Sequence, residues 1–213
     1  MLWKSKNRRK LMTKIKICGL TSINDVELIN NNKVEYAGFV VFVPKSKRNN
    51  DLQNAGVLLK SLDKNITAVA VTISPDIGKA IAIENAGFSF IQIHGEVPEG
   101  LYERTGLKVI KAFNVKDISF FDKFLGNDRI VGFLFDARKP GSGKTFDWNV
   151  LKEIKRPDNK LFILAGGLDK DNVKEAIDFV NPDMVDVSSG VENDNGIGKD
   201  PIKIKAFVSE VRG

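Results

Sequence analysis

The chain has 213 residues, 42% of them hydrophobic and 28% charged, which suits a globular protein with one substantial core or two small ones. No stretch reaches the roughly 18 consecutive apolar residues of a membrane span, which argues against a membrane partner. The formal charge of +6 points toward nucleic acid until its location is considered: Lys4, Lys6, Arg8, Arg9, Lys10 and Lys14 fall in the first 14 residues with no acid among them, and the rest balances 27 basic against 27 acidic residues.

Residues 1–13 therefore read as a basic, flexible leader, because beyond Trp3 nothing aromatic interleaves with its charges to stack on bases. A protein that grips polyanions through this arm is the alternative; the expected partner is a small molecule, with no nucleic acid. The apolar run of a signal peptide is broken by Lys14 and Lys16, so export is not expected. Cys18 is the only cysteine, which excludes an internal disulfide and fits a cytoplasmic location.

Along the chain, residues 14–18, 36–42, 66–72, 89–93, 107–112, 130–135, 161–165 and 183–187 form short, nearly continuous apolar runs, the pattern of parallel strands buried on both faces. Amphipathic segments separate them. Thr21 or Ser22 opens a helix over 23–31, Asp51 one over 51–62, and Ser74-Pro75 precedes one over 76–84. Further helices are expected at 98–104, 116–124, 147–154 with Asp147 as its cap, 171–179 and 200–211. Eight strand–helix units over residues 14–213 predict an α/β chain folded as a single (β/α)8 TIM barrel, with an open doubly wound sheet as the alternative.

Barrels of this class place their chemistry at the C-terminal ends of the strands. Cys18 ends the first strand, where it is either a reactive thiol or a small core residue. Asp136 ends the sixth. A thiol and a carboxyl whose environment moves their pKa values toward neutrality would serve as general base and general acid. Gly166 and Gly167 follow strand seven, and Ser188, Ser189 and Gly190 follow strand eight. These two loops commonly form the phosphate site of such barrels, with a helix N-terminus adding partial positive charge, although both also read as ordinary tight turns.

The run Gly141-Ser142-Gly143-Lys144-Thr145 is not a P-loop, since Arg138 stands where the motif needs its first glycine, and Phe146 removes a dinucleotide fingerprint. Gly141 and Gly143 instead read as a loop that closes over bound substrate. Arg48 or Lys45, after strand two, could bind a substrate carboxylate, and Arg48 is favoured for its planar fork. His94, at the end of strand four, is the only histidine, and one His with one Cys does not make a zinc site, so no metal is expected.

Six segments taken together, KICGLT at 16–21, GFVVFVPKSKR at 38–48, IQIHGE at 91–96, FDARKPGSGKTFDW at 135–148, LAGGLDKDNV at 164–173 and VDVSSGVENDNGIGKD at 185–200, resemble the phosphoribosylanthranilate isomerases of tryptophan biosynthesis. The resemblance implies a cofactor-free Amadori rearrangement of N-(5-phosphoribosyl)anthranilate to 1-(2-carboxyphenylamino)-1-deoxyribulose 5-phosphate. It implies Asp136 as general acid at the ribose ring oxygen and Cys18 as general base at C2′. It further implies Arg48 at the anthranilate carboxylate, His94, Gly141 and Gly143 among the substrate contacts, and Gly166, Gly167, Ser188, Ser189 and Gly190 around the phosphate. Two segments depart from the family pattern: Ser46-Lys47-Arg48 replaces Ser-Pro-Arg, and Pro140-Gly141-Ser142-Gly143 replaces Gly-Gly-Thr-Gly. Other phosphosugar barrels, and a barrel that binds phosphate without catalysis, are the competing readings; the oligomeric state, monomer or homodimer, is left open.

Overall fold

Apolar runs with no visible alternation still have two faces, because successive side chains of a strand point to opposite sides. In the computed structural model, which describes residues 12–136 and 146–213, those faces meet different surroundings. The barrel strands are β1 (Lys14–Cys18), β2 (Tyr36–Val41), β3 (Thr67–Ile73), β4 (Phe90–His94), β5 (Lys108–Asn114), β6 (Ile130–Asp136), β7 (Leu161–Leu164) and β8 (Met184–Val187). Each pairs in parallel with the next. The ring then closes as β1 pairs with both β2 and β8, with Lys16 opposite Tyr36 on one side and Asp186 on the other, so the open-sheet alternative is excluded. A two-residue strand, Asn49–Asn50, extends β2 in parallel.

One face of each strand packs against the helices. Ile15, Ile17, Phe39, Ile91, Ile93, Phe133 and Phe135 lie there in a continuous apolar layer. The opposite face fills the barrel interior with Cys18, Tyr36, Val40, Val69, Val71, Ile110, Ala112, Leu134, Ile163, Ala165 and Met184. Branched and small side chains dominate that lumen, as a narrow eight-stranded barrel requires.

The helices begin where their capping residues stand. Helix α1 (Ile23–Asn30) has Ser22 as N-cap in a capping box with Asp25. The side chains of Asp51, Asp76 and Asp200 accept first-turn N–H groups of α2 (Leu52–Ser61), α3 (Ile77–Asn85) and the C-terminal α6 (Pro201–Arg212), whose proline occupies the first turn. Between them lie the single-turn α4 (Leu101–Arg104) and α5 (Val173–Val180). Two expected α-helices take another form. The segments Val115–Phe124 and Trp148–Leu151 are 3-10 helices, the second capped by Asp147 as expected. The first runs alongside Phe113 of β5, and its Phe121 and Phe124 pack edge-on against that ring.

Candidate active site

Four interior residues at the seam between β8, β1 and β2 set the character of the barrel mouth. Lys16 and Cys18 are two apart on β1 and so share the interior face. Asp186 is the register partner of Lys16 on β8, and Gly38 that of Cys18 on β2. The Lys16 side chain has no exposure at all, and its Nζ donates to both carboxylate oxygens of Asp186, at 2.9 and 3.0 Å. A β-carbon built on Gly38 would lie 2.8 Å from the Cys18 Sγ and 3.0 Å from the Lys16 Nζ, so only glycine leaves room for thiol and ammonium together.

Electrostatics in this cluster pull in opposite directions. Burial, with the Asp186 carboxylate, holds the Cys18 thiol above its ordinary value, and the ammonium groups of Lys16 and Lys199 offset only part of that rise. Burial also works against the charge on Lys16, but Asp186 and Cys18 overcome it and hold the amine above its usual 10.5. A buried lysine with a two-oxygen carboxylate partner is an ion pair, and Asp186 is its anionic half.

A second cluster lies on the rim beside Cys18. The aliphatic part of Arg48 packs over Gly19, and the Arg48 Nε–H donates to Glu192. Glu192 also accepts from Lys47 at 2.9 Å and stands 3.5 Å from Lys199. Burial disfavours its charge, yet Arg48, Lys47 and Lys199 outweigh burial and hold its carboxyl below the usual range. Lys199 is placed from two sides: its backbone N–H donates to Asp25 of the α1 capping box at 2.8 Å, and its Nζ donates to the Ser188 carbonyl at 3.1 Å. The Asn50 amide donates to the carbonyls of Leu20, Val40 and Arg48, pinning the loop that carries Arg48.

The loops after β7 and β8 touch. A β-carbon at Gly190 would collide with the Leu168 carbonyl, and Gly166 and Gly167 both adopt the left-handed conformation that glycine tolerates best. Gly190 therefore sits against Leu168, the residue that follows Gly166 and Gly167. The Ser188 hydroxyl is committed elsewhere, donating to the Cys18 carbonyl at 2.9 Å, which ties the β8 loop to the end of β1. A three-residue 3-10 turn, Ser189–Val191, follows, so the helix whose N-terminus the sequence places after this loop begins only at Pro201.

Asp136 is the last residue of β6. Two positions beyond the interior Leu134, it shares that residue's face and is buried. His94 ends β4, and its Nε2 lies 2.9 Å from the Gln92 side-chain nitrogen. Burial, with Lys16 and Lys111, lowers its pKa to about 4. Gly141 and Gly143 lie outside the described residues.

Sequence reasoning missed Lys16, Asp186, Glu192 and Lys199. Lys16 carries a readable signal, because a charged residue two before Cys18 in a strand must share its face. Glu192 carries none, since its partner Arg48 is 144 residues away.

A family model described as N-(5′phosphoribosyl)anthranilate (PRA) isomerase matches residues 15–210. The N-(5′-phosphoribosyl)anthranilate isomerase of Clostridium acetobutylicum is 42% identical over 207 residues, covering 94% of this chain and 98% of that protein. The one from Thermoanaerobacter sp. is 39% identical over 208 residues, covering 95% and 99%. Among solved structures, phosphoribosyl anthranilate isomerase from Thermotoga maritima superposes with a TM-score of 0.81 at 33% identity over 95% of this chain and 100% of its own. A phosphoribosyl anthranilate isomerase in complex with reduced 1-(o-carboxyphenylamino)-1-deoxyribulose 5-phosphate gives 0.76 at 30% identity, with the same coverage.

Proposed function

The chain belongs to the N-(5′-phosphoribosyl)anthranilate isomerase family, an aldose–ketose isomerase of tryptophan biosynthesis, and we propose that Cys18 and Asp136 divide the proton transfers of its reaction. The observation that carries this assignment is their shared placement: a buried thiol and a buried carboxyl, each the last residue of its strand and each on the interior face.

The rearrangement needs an acid and then a base. Asp136, protonated, gives its proton to the ribose ring oxygen as the C1′–O bond breaks, and the anilino nitrogen lone pair forms the C1′=N iminium. The Cys18 thiolate then takes the proton from C2′. The C2′–H electrons form the C1′=C2′ bond, and the C=N electrons return to nitrogen. The resulting enolamine tautomerises to the ketone. Substrate and product are isomers, so the cycle needs no outside oxidant or reductant.

The remaining residues bind and orient. Arg48 offers the anthranilate carboxylate its terminal N–H groups, since Glu192 takes Nε–H and thereby fixes the plane of the fork. The touching loops at Gly166, Gly167 and Gly190, with Ser188 and Ser189, receive the 5′-phosphate through backbone N–H groups. His94, neutral and oriented by Gln92, contacts the substrate through its other ring nitrogen. In this reading the phosphorylated substrate is the partner and the cytoplasm the place of work; among the described residues no helix is long and apolar enough to cross a membrane.

The test follows the loss of anthranilate fluorescence as phosphoribosylanthranilate is consumed. Cys18→Ala and Asp136→Asn should each lower turnover by about 10²–10⁴-fold while the circular dichroism spectrum stays that of the native barrel. Near-normal turnover in either variant removes that residue from its role.

A further inference from the structure

We propose that Lys16 is a positioning residue whose buried ammonium stabilises the thiolate form of Cys18, with Asp186 holding that ammonium in place. The proposal rests on reading Cys18 as the base. It goes beyond that reading by saying what offsets the burial that opposes the ionised form of the sulfur.

Lys16 is costly to bury, and a purely structural role is hard to reconcile with its surroundings. An ammonium has three donors. The two oxygens of Asp186 engage at most two of them. The third is not taken by Asp186, and the Lys16 Nζ and the Cys18 Sγ border the same gap over Gly38. The absence of a β-carbon at Gly38 is the other half of the argument, since the space it leaves is bounded by the Cys18 Sγ and Cα and by the Lys16 Nζ. Lys16 is also one interior step further from the barrel mouth than Cys18, so the cation supports the sulfur from beneath and leaves its mouth side open to substrate.

The other charged groups around the sulfur are Asp186 from β8, which opposes the thiolate, and Lys199 from the segment before α6, which favours it. Tyr36 lies beside Lys16 on β2, and His94 feels Lys16 from β4. Lys199 is shared with Glu192, which spends part of its charge. Lys16 is thus the cation that most strongly offsets burial at Cys18.

Because Cys18 is the only cysteine, thiolate absorbance in the ultraviolet titrates this sulfur alone. In full-length Lys16→Met the midpoint should rise by about one unit or more, so that thiolate at neutral pH falls about tenfold. Turnover should fall by the same factor, with KM within about twofold, and should recover as pH is raised, a recovery that a merely structural lysine would not produce. Lys16→Met leaves Asp186 unpaired and could lose the fold. The double variant Lys16→Met/Asp186→Asn removes both charges and keeps the test open. Because Asp186 opposes the thiolate, the double variant is read against Asp186→Asn alone; a midpoint unmoved in Lys16→Met, or equal in the double variant and Asp186→Asn, overturns the proposal. The base reading fails separately, if Cys18→Ala keeps its turnover, and that outcome leaves the titration of the sulfur standing as the measure of Lys16.

Discussion

The two faces of the barrel wall obey different rules. On the outer face of β5 and β6, Phe113, Phe133 and Phe135 stack with Phe121, Phe124 and Phe162 at centroid separations of 4.6 to 6.1 Å, and shape and area decide what fits. On the inner face of β1 and β8, across the backbone from Ile15 and Ile17, a lysine, a thiol and a carboxylate are held out of water. The outer layer gains free energy from every methylene it buries. The inner cluster works against burial and survives because its charges are paired. Stability and chemistry are therefore drawn from opposite sides of the same strands, and a substitution should disturb one with little effect on the other.

The sharpest way to break that separation is Phe133→Ala. Phe133 has no exposure and its ring meets Phe121 at 4.6 Å, so the truncation should lower unfolding free energy by about 3–5 kcal/mol in urea titrations. Turnover per folded molecule should stay near the parent value. A large loss of turnover in the folded variant would show that the outer layer sets the mouth geometry after all.

His94 gives a smaller effect with a defined sign. Its pKa is about 4 in the fold against 6.5 in the open chain, so the fold favours the neutral ring. Stability from this group is complete above pH 6.5 and is lost as pH falls toward 4. Between pH 8 and pH 5 the loss amounts to about 2 kcal/mol. Comparing urea unfolding of the parent and His94→Asn at those two pH values isolates it: the variant should lose about that much less on acidification. Equal losses in both chains would place the ring in water.

The smallest effect belongs to the exposed pair Lys170 and Asp171, whose side chains are 52% and 75% exposed. Lys170→Ala should leave both the urea midpoint and turnover unmoved, because such a pair is screened and mobile. A measurable shift would mean that exposed charge contributes to one of the two faces.

Much of this was legible in the chain. Parallel strands buried on both faces announce themselves as uninterrupted apolar runs, and Ser22 and Asp51 mark helix starts because their side chains take up first-turn donors, whereas the third helix is capped by Asp76 and not by the Ser74-Pro75 step. The strand ends, read in order, bring Cys18, Asp136, the glycine pair and the serine loop to one rim. The 3-10 character of Val115–Phe124 was hidden, because over ten residues the apolar spacing of a 3.0-residue turn and a 3.6-residue turn differ too little to separate. Lys16 was overlooked for a different reason. A charge inside a short strand reads as an interruption of an apolar run until the carboxylate that neutralises it is found on the far side of the ring. The engagement of Arg48 by Glu192 depends on the same kind of long-range meeting.

Lys16 and Asp186 are 170 residues apart, and their bridge spans the line along which the first and last strands meet. At roughly 5–20 residues per second, a ribosome leaves Lys16 without its carboxylate for on the order of ten to thirty seconds. During that interval an ammonium cannot be sealed inside an apolar lumen, so a nascent chain lacking β8 has no way to shut. Closing the ring and arming the thiol are one event in the life of the molecule, and a partly synthesised chain carries neither.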